Sequence, residues 1–188
     1  MYAEVSSQLN EIREAVEHAS PAEGKAHDSY VIATLEEAVA AASEGNFGVG
    51  AVITDAAGHI VARGHNHVFH PHFRSDIHAE MDALNQFKDS HPEISSIAGY
   101  TLYTSLEPCP MCLTRLITSG HNRVYHAAED TESGMVSRLG QLTPVWVELA
   151  KEQEFGPADC SPELAELALQ VFLVTAEKNT DRLLQRRR

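Results

Sequence analysis

Two short stretches, His78-Ala79-Glu80 and Pro108-Cys109-Pro110-Met111-Cys112, supply one histidine, one carboxylate and two cysteines. A Cys-x-x-Cys pair at the start of a helix can place both sulfurs on one metal ion, and a histidine from elsewhere completes three protein ligands. Three ligands leave the fourth tetrahedral position of zinc open for water, which is typical of a catalytic site. Zinc lowers the pKa of that water from about 15.7 to about 7. The two stretches therefore predict a catalytic zinc site.

The alternative is a structural zinc site, which requires a fourth protein ligand. His121 or His126 could supply that ligand. The cysteine pair falls in the first turn of a predicted helix, where free N–H groups and the helix dipole favour the thiolate form. Cys160 is left over, and an odd cysteine count with a metal-like pair suits a reducing compartment better than a disulfide framework. We therefore expect a cytoplasmic protein.

The motifs resemble the signature of the zinc-dependent cytidine/nucleobase deaminases, His-x-Glu followed downstream by Pro-Cys-x-x-Cys. The resemblance runs from about Phe47 to about Glu129. It includes the segments Phe47-Gly48-Val49-Gly50-Ala51-Val52, Gly64-His65-Asn66 and Thr101-Leu102-Tyr103-Thr104-Ser105-Leu106-Glu107. The chain is most similar to the branch of guanine, cytosine and tRNA adenosine deaminases, which often carry a Glu directly before Pro-Cys.

This resemblance implies a hydrolytic enzyme that converts an exocyclic amino group of a small heterocycle, most simply a nucleobase, to a carbonyl with release of ammonia. It implies one Zn2+ per chain, held by His78, Cys109 and Cys112. Glu80 is then the catalytic residue, which passes a proton from water to a ring nitrogen and on to the leaving amine. Relatives of this kind are commonly dimers, so the resemblance also implies a homodimer.

Five further residues are expected to bind substrate. Asn66 resembles the asparagine that ends the second strand and hydrogen-bonds the base in free-base deaminases, although a turn role is the alternative. Phe47 and Phe73 could stack on a planar ring, although aromatic residues beside a strand are more often core. The Ala79 N–H is expected to contact the substrate, and Glu107 either contacts it or holds a neighbouring loop.

One departure from the family concerns the substrate. Guanine deaminases usually carry an acidic motif whose carboxylate reads the purine, and the corresponding segment 134–138 has no carboxylate. Asp130, Glu132 or Glu148 could take its place. The ring therefore stays open among guanine, cytosine, adenine-type bases, nucleosides, pterins and triazines.

The charge of the chain bears on its partners. Its formal net charge is -13, from 14 basic and 27 acidic residues. Proteins that grip a nucleic-acid backbone normally present a basic face, so the balance disfavours tRNA and favours a small neutral molecule. No stretch approaches the roughly 20 apolar residues of a membrane span. A non-catalytic zinc-stabilised binding protein is a further alternative, but such a protein has no use for Glu80.

Hydrophobic periodicity predicts an α/β protein. The predicted elements are a helix over 28–43, strands over 49–54 and 60–64, a helix over 78–88, a strand over 100–104, a helix from 109 to about 120 and a strand over 123–127. The resemblance adds the form of a three-layer α/β/α sandwich with a central mixed sheet. We expect residues 1–24 to form an N-terminal helical extension and residues 25–188 a single deaminase domain, with a C-terminal helical extension from about 144.

The segment 65–77 joins the second strand to His78 and contains four histidines, His65, His67, His70 and His72. These histidines lack a regular ligand spacing such as i, i+4, which argues against a second metal site. We therefore expect the segment to form part of the active-site wall.

Overall fold

A computed structural model describes the backbone of residues 2–186 and the side chains of residues 6–186. The helices are α1 (Tyr2–Glu17), α2 (Asp28–Ser43), α3 (Ala79–Ser90), α4 (Pro110–Ser119), α5 (Pro144–Leu149) and α6 (Pro162–Gln185). The strands are β1 (Gly50–Thr54), β2 (Ile60–His65), β3 (Thr101–Leu106), β4 (Arg123–Ala128) and β5 (Glu154–Pro157). Every element predicted between residues 28 and 128 is present close to its predicted bounds. None of the described helices is long and apolar enough to cross a membrane.

The strands form one mixed sheet in the order β2-β1-β3-β4-β5. β1 pairs antiparallel with both β2 and β3, whereas β4 pairs parallel with both β3 and β5. Parallel neighbours require a crossover connection, and α4 provides it between β3 and β4. The predicted central mixed sheet is confirmed.

Two glycines show how the helices cover the sheet. Successive strand residues point to opposite faces, and Gly64 pairs with Ala51, so Gly50 and Gly64 mark opposite faces. A Cβ on Gly50 would collide with the α2 backbone at Thr34, and a Cβ on Gly64 would collide with the α3 backbone at Ala83. Helices α2 and α3 therefore press against opposite faces of the sheet. This arrangement confirms the three-layer α/β/α sandwich.

The N-terminal helix α1 packs against α2 and α6. Val5, Leu9, Ile12 and Val16 recur at helical spacing and form an apolar stripe on α1. Ile12 and Val16 are buried and Leu9 packs against the same core, whereas the side chain of Val5 lies outside the described residues. The stripe therefore joins the core of the α2 and α6 layer. The division of the chain at residue 24 stays a prediction.

The C-terminal region differs from the expectation of a purely helical extension. Helix α5 begins at Pro144, where the extension is predicted to start, and α6 begins at Pro162. Strand β5 lies between them and extends the sheet beyond β4. The sequence does not predict β5 because the strand is only 4 residues long and contains Gly156 and Pro157. Such a short segment shows no two-residue alternation that would distinguish it from a loop.

Candidate active site

The three predicted zinc ligands lie at the amino ends of two helices. His78 is the N-cap of α3, and Cys109 is the N-cap of α4, both with extended backbone conformation. Pro110 occupies the first position of α4, where a missing N–H costs nothing and the fixed φ favours the helix. Cys112 follows in the first turn and is fully buried. The sequence therefore folds so that two helix starts bring one imidazole and two thiols together.

The spacing of these donor atoms fits a zinc ion. A tetrahedral zinc with Zn–S near 2.3 Å and Zn–N near 2.0 Å holds sulfur and nitrogen about 3.5 Å apart. The His78 Nδ1 atom lies 3.6 Å from Cys109 Sγ and 3.5 Å from Cys112 Sγ. These residues can therefore hold one zinc ion with little rearrangement.

The alternative of a structural zinc site lacks its fourth ligand. Within the described residues, no further histidine, cysteine or carboxylate joins the group of His78, Cys109 and Cys112. His121 follows the carboxyl end of α4, with its Nδ1 2.8 Å from the hydroxyl of Ser119. His126 lies within β4, opposite Thr104 of β3. A set of three ligands is typical of catalytic zinc.

Glu80 lies in the first turn of α3, beside the ligands and almost fully buried. Its Oε2 accepts a hydrogen bond from the Cys112 thiol, with a donor–acceptor distance of 3.3 Å. Burial raises the pKa of the Glu80 carboxyl, and the negative charge of Cys109 raises it further. A carboxyl with a raised pKa can bind and release a proton closer to neutral pH, which general acid–base catalysis requires.

The surroundings of Cys109 favour its thiolate form. A hydrogen bond from the Cys112 thiol, followed by the hydrogen bond and positive charge of His78, lowers the pKa of Cys109 to about 4. Zinc binds thiolate rather than thiol, so this ionisation favours metal binding.

A cavity of about 300 Å³ opens onto His78, Glu80 and Cys109. Its wall is mostly apolar, with a few polar side chains, which is the usual lining of a small-molecule site. A larger and more open groove of about 530 Å³ lies between α1 and α6, but it contains none of the predicted site residues. We therefore take the smaller cavity as the candidate active site.

Asn66 lines this cavity and is almost fully buried. Its backbone N–H donates to the Val49 carbonyl at 3.1 Å, and its Oδ1 accepts from the Val68 N–H at 3.0 Å. Because the oxygen is used locally, the amide Nδ2 is the group left to face a ligand. The geometry thus combines the predicted turn role with an amide donor that makes no hydrogen bond within the described residues.

The two aromatic candidates separate in the structure. Phe47 lines the cavity, with its ring centroid 6.2 Å from that of Phe172. Phe73 is not part of the lining, and its ring lies 5.9 Å from the Phe69 ring and 3.6 Å from the Arg186 guanidinium. Stacking of Phe73 on a substrate therefore has no support from its position. The ring instead connects the segment 65–77 to Arg186, the residue that follows α6.

The two backbone candidates also have defined positions. Ala79 is the first residue of α3 and is buried between His78 and Glu80, so its N–H is one of the helix donors that lack an intrahelical partner. Glu107 lines the cavity, but its carboxylate accepts from the backbone N–H groups of Asp130 at 3.1 Å and Ser137 at 2.8 Å. This geometry fits the alternative in which Glu107 holds a loop.

Of the three carboxylates offered as substitutes for the missing acidic motif, the structure brings one to the cavity. Asp130 lines it, whereas Glu132 and Glu148 are exposed and lie outside the lining. Sequence reasoning missed the contribution of α6, which supplies Phe172 and Leu183 to the wall. The apolar pattern of α6 predicts a packed helix but gives no sign of which turns cover the cavity.

Comparison with known proteins agrees with this site. Residues 25–128 match the family model described as the cytidine and deoxycytidylate deaminase zinc-binding region. The chain is 34% identical over 113 residues to a tRNA-specific adenosine deaminase of Bacillus subtilis, covering 60% of this chain and 68% of that protein. It is 34% identical over 110 residues to a guanine deaminase of the same organism, covering 53% of this chain and 65% of that protein.

A solved structure supports the fold. The guanine deaminase from Nitrosomonas europaea superposes with a TM-score of 0.61 at 23% identity, covering 84% of this chain and 88% of that one. The family match includes the whole ligand set and Glu80. The chain therefore belongs to the zinc-binding cytidine and deoxycytidylate deaminase family, whose enzymes hydrolyse C–N bonds.

Proposed function

We propose that this protein deaminates a free nucleobase of the guanine or cytosine type. The reaction replaces an exocyclic C–NH2 group by C=O and releases ammonia. The observation that carries the proposal is the small cavity beside Glu80, which α6 covers on one side. The family determines the chemistry, and this cavity is what favours a free base over a larger substrate.

When bound by His78, Cys109 and Cys112, zinc supplies a water acidified to a pKa of about 7. The Glu80 carboxylate, buried beside the ligand set, would accept a proton from that water. Glu80 would give this first proton to a ring nitrogen. As C=O forms, it would take the second proton of the attacking water from the new C–OH group and give it to the departing amine. Protonation of the amine is required because ammonia, and not its anion, is the leaving group.

Helix α6 limits the size of the substrate. Phe172, Thr180 and Leu183 of α6 form one wall of a cavity whose volume, about 300 Å³, is at the lower end of ordinary ligand sites. Arg182 fixes this helix by donating to the Gly45 carbonyl at 3.0 Å and by stacking on the Phe69 ring, 3.7 Å from its centroid. We therefore expect a single ring system rather than a nucleotide within an RNA loop.

Two polar groups can orient the base. The Nδ2 of Asn66 can donate to a ring nitrogen or carbonyl of the substrate. The Asp130 carboxylate accepts from the N–H of Ser133 at 2.9 Å and its hydroxyl at 2.8 Å, and its oxygens retain further acceptor capacity. Asp130 is therefore our candidate to accept N–H groups of the base in place of the missing acidic motif.

A tRNA adenosine deaminase is the second candidate, since a protein of that name is among the relatives. The net charge of -13 counts against it, because phosphate contacts need basic side chains. The cover that α6 places over the cavity counts against it as well.

A homodimer is also part of this proposal. Helices α4 and α5 pack side by side, and the large side chains of Met111, Val145 and Leu149 on these helices are exposed. Exposed apolar side chains on two packed helices favour burial against another protein surface. Light scattering should give twice the chain mass of 20.6 kDa, and a monomer at micromolar concentration would contradict the proposal.

The test is ammonia release by zinc-loaded protein. The panel contains guanine, cytosine, adenine, their nucleosides, a pterin, a triazine and transcribed tRNA. Release from guanine or cytosine above all other compounds would support the proposal. Release only from tRNA would replace it with the second candidate. No release from any compound, with one zinc per active site verified by mass spectrometry, would contradict it.

A further inference from the structure

A second group of metal-binding side chains lies on the outer side of the active-site wall. It consists of Glu44 after the end of α2, His65 at the end of β2 and His67 in the loop that follows. One donor atom from each residue lies within 4.8 Å of the other two. These residues belong neither to the deaminase ligand set nor to the cavity lining.

The donor atoms are spaced as a metal ion would hold them. A tetrahedral ion with metal–nitrogen and metal–oxygen distances of about 2.0–2.2 Å keeps its donors about 3.4 Å apart. The Oε2 of Glu44 lies 3.4 Å from His65 Nε2 and 3.7 Å from His67 Nδ1. The Nδ1 of His70, an exposed residue, also lies 3.7 Å from this oxygen.

Apart from their ion-pair contacts with Glu44, these ring nitrogens have no polar partner within the described residues. His65 Nε2 and His67 Nδ1 are buried from solvent, and neither makes a hydrogen bond within the described part of the chain. A buried polar atom without a partner costs free energy, typically 1 to about 3 kcal/mol. A bound cation would satisfy both nitrogens at once.

The opposite nitrogen of each ring faces a carboxylate. His65 Nδ1 lies 3.0 Å from Glu37 Oε2, and His67 Nε2 lies 3.5 Å from Asp82 Oδ2. Metal-binding histidines nearly always donate their second N–H to a carboxylate, carbonyl or water, which fixes the ring and increases its basicity. The His65 ring is therefore oriented as a metal ligand is, and His67 has a carboxylate within ion-pair distance of its second nitrogen. With Glu44, the two rings are surrounded by three carboxylates, and this excess of negative charge suits a divalent cation.

We propose that Glu44, His65 and His67 bind a second divalent transition-metal ion, with zinc the best match to two imidazoles and one carboxylate. Imidazole donors select this class of metal over magnesium and calcium, which prefer all-oxygen sites. The spacing of the histidines along the chain predicts no such site, because it takes no account of the third ligand. That ligand, Glu44, lies at the end of a different element, α2. Only the fold brings that carboxylate to the two rings.

The position of this site connects it to the substrate cavity. In an extended segment, residues i and i+2 share one side and the residue between them faces the other. The rings of His65 and His67 lie together, with centroids 4.2 Å apart, and Asn66 between them lines the cavity. A metal ion here would link the end of α2 to the segment that carries Asn66. It would thereby restrict the motion of that part of the cavity wall.

The test is metal stoichiometry of tag-free protein after equilibrium dialysis against zinc, measured by mass spectrometry. Wild type should hold 2 zinc ions per chain, given the two groups. His67→Ala and His65→Ala should each hold one. Cys109→Ser should lose the other ion and keep this one. His72→Ala is the matched control, because His72 is exposed in the same segment and outside the group, and it should behave as wild type.

A second measurement guards against variants that misfold. Glu37→Gln leaves all three ligands in place but removes the carboxylate behind His65, and it should weaken zinc at this site about 10- to 100-fold in a calorimetric titration. One zinc per wild-type chain, or two in well-folded His67→Ala, would overturn the proposal. The histidines would then form only ion pairs with Glu44. These outcomes are independent of whether any base is deaminated, since metal content is the readout.

Discussion

His78 and Cys109 occupy the same position in two different helices, since each is the N-cap residue and their Nδ1 and Sγ atoms lie 3.6 Å apart. The amino ends of α3 and α4 therefore meet at the candidate zinc site. Helix amino ends carry partial positive charge and unpaired N–H groups, which stabilise thiolates and a nearby carboxylate. The fold thus provides the three ligands and, for Cys109, surroundings that favour the thiolate form that binds zinc.

Substitution of a single ligand cysteine tests the assignment of the zinc site. Cys112→Ser should abolish stoichiometric zinc binding at the deaminase site, because a hydroxyl is a far weaker zinc ligand than a thiolate. Bound metal stabilises only the folded state, so zinc should raise the melting temperature of the variant less than that of wild type, through the second group of Glu44, His65 and His67 alone. Cys160→Ser is the matched control, because it removes a thiol outside the ligand group. Full zinc content in Cys112→Ser would contradict the assignment.

Glu107 is expected to act on the loop and not on the chemistry. Its carboxylate accepts backbone N–H groups from Asp130 and Ser137, and Gly134 leaves room for it. Glu107→Gln replaces one acceptor by an NH2 group, so one of these donors loses its partner, at a cost of about 1–3 kcal/mol of unfolding free energy. The Michaelis constant should rise more than the turnover number falls.

The exposed Glu129 provides the control for this substitution. Glu129→Gln should leave chemical denaturation and both kinetic constants unchanged. If Glu107→Gln lowered turnover with unchanged stability and Michaelis constant, Glu107 would instead contact the reacting atoms.

We expect the Asp28 carboxyl to make the stability of the fold depend on pH. Burial raises the pKa of its carboxyl, but hydrogen bonds from Ser161 and from the Ala22 N–H outweigh burial and lower the pKa below its ordinary value of 3.8. A carboxyl whose folded pKa is lowered stabilises the fold above its unfolded pKa, and this contribution disappears as pH falls through the lower folded value. Wild type should therefore lose stability below about pH 4.

Denaturation curves between pH 2 and pH 7 test this sign. Asp28→Asn should be less stable than wild type at neutral pH, and the difference should shrink as the pH falls. Asp89→Asn makes the same chemical change at an exposed position and should follow wild type. A constant difference between Asp28→Asn and wild type at every pH would contradict the account.

Close packing of α3 on the sheet gives a steric prediction. A Cβ on Gly64 would meet the backbone of α3 at Ala79 and Ala83, next to the zinc ligand His78. Gly64→Ala should therefore cost about 1–3 kcal/mol by overpacking. Gly140→Ala is the control, because a Cβ there meets nothing within 4 Å and the residue has ordinary φ. Equal melting temperatures for the two variants would show that α3 is not held this tightly.

The deaminase ligand set could be predicted because its signal is local. Two cysteines three residues apart in a first helical turn must lie close together, and His-x-Glu places a ligand and a proton carrier at one helix start. The hairpin of β1 and β2 and the helices around it also follow from their own periodicity. In each case the deciding contacts lie within a few residues of chain.

The rest of the site depends on how distant elements meet. The approach of Glu44 to His65 and His67 depends on where the end of α2 lies against β2, and the cover over the cavity depends on the path of α6. Which of Phe47 and Phe73 lines the cavity also depends on how distant elements meet, since both are aromatic residues near a strand. No spacing along the sequence reports such relationships.

The central claim is that Glu80 moves protons at a zinc site held by other residues. Its most direct test is ammonia release by Glu80→Gln and wild type, both loaded with zinc, on the base that wild type deaminates best. We expect the variant to keep its zinc and its fold while turnover falls by about 100-fold or more, because amide cannot exchange the proton. Glu93→Gln, the same change at an exposed position, should match wild type. Turnover in Glu80→Gln within a few-fold of wild type would contradict the claim.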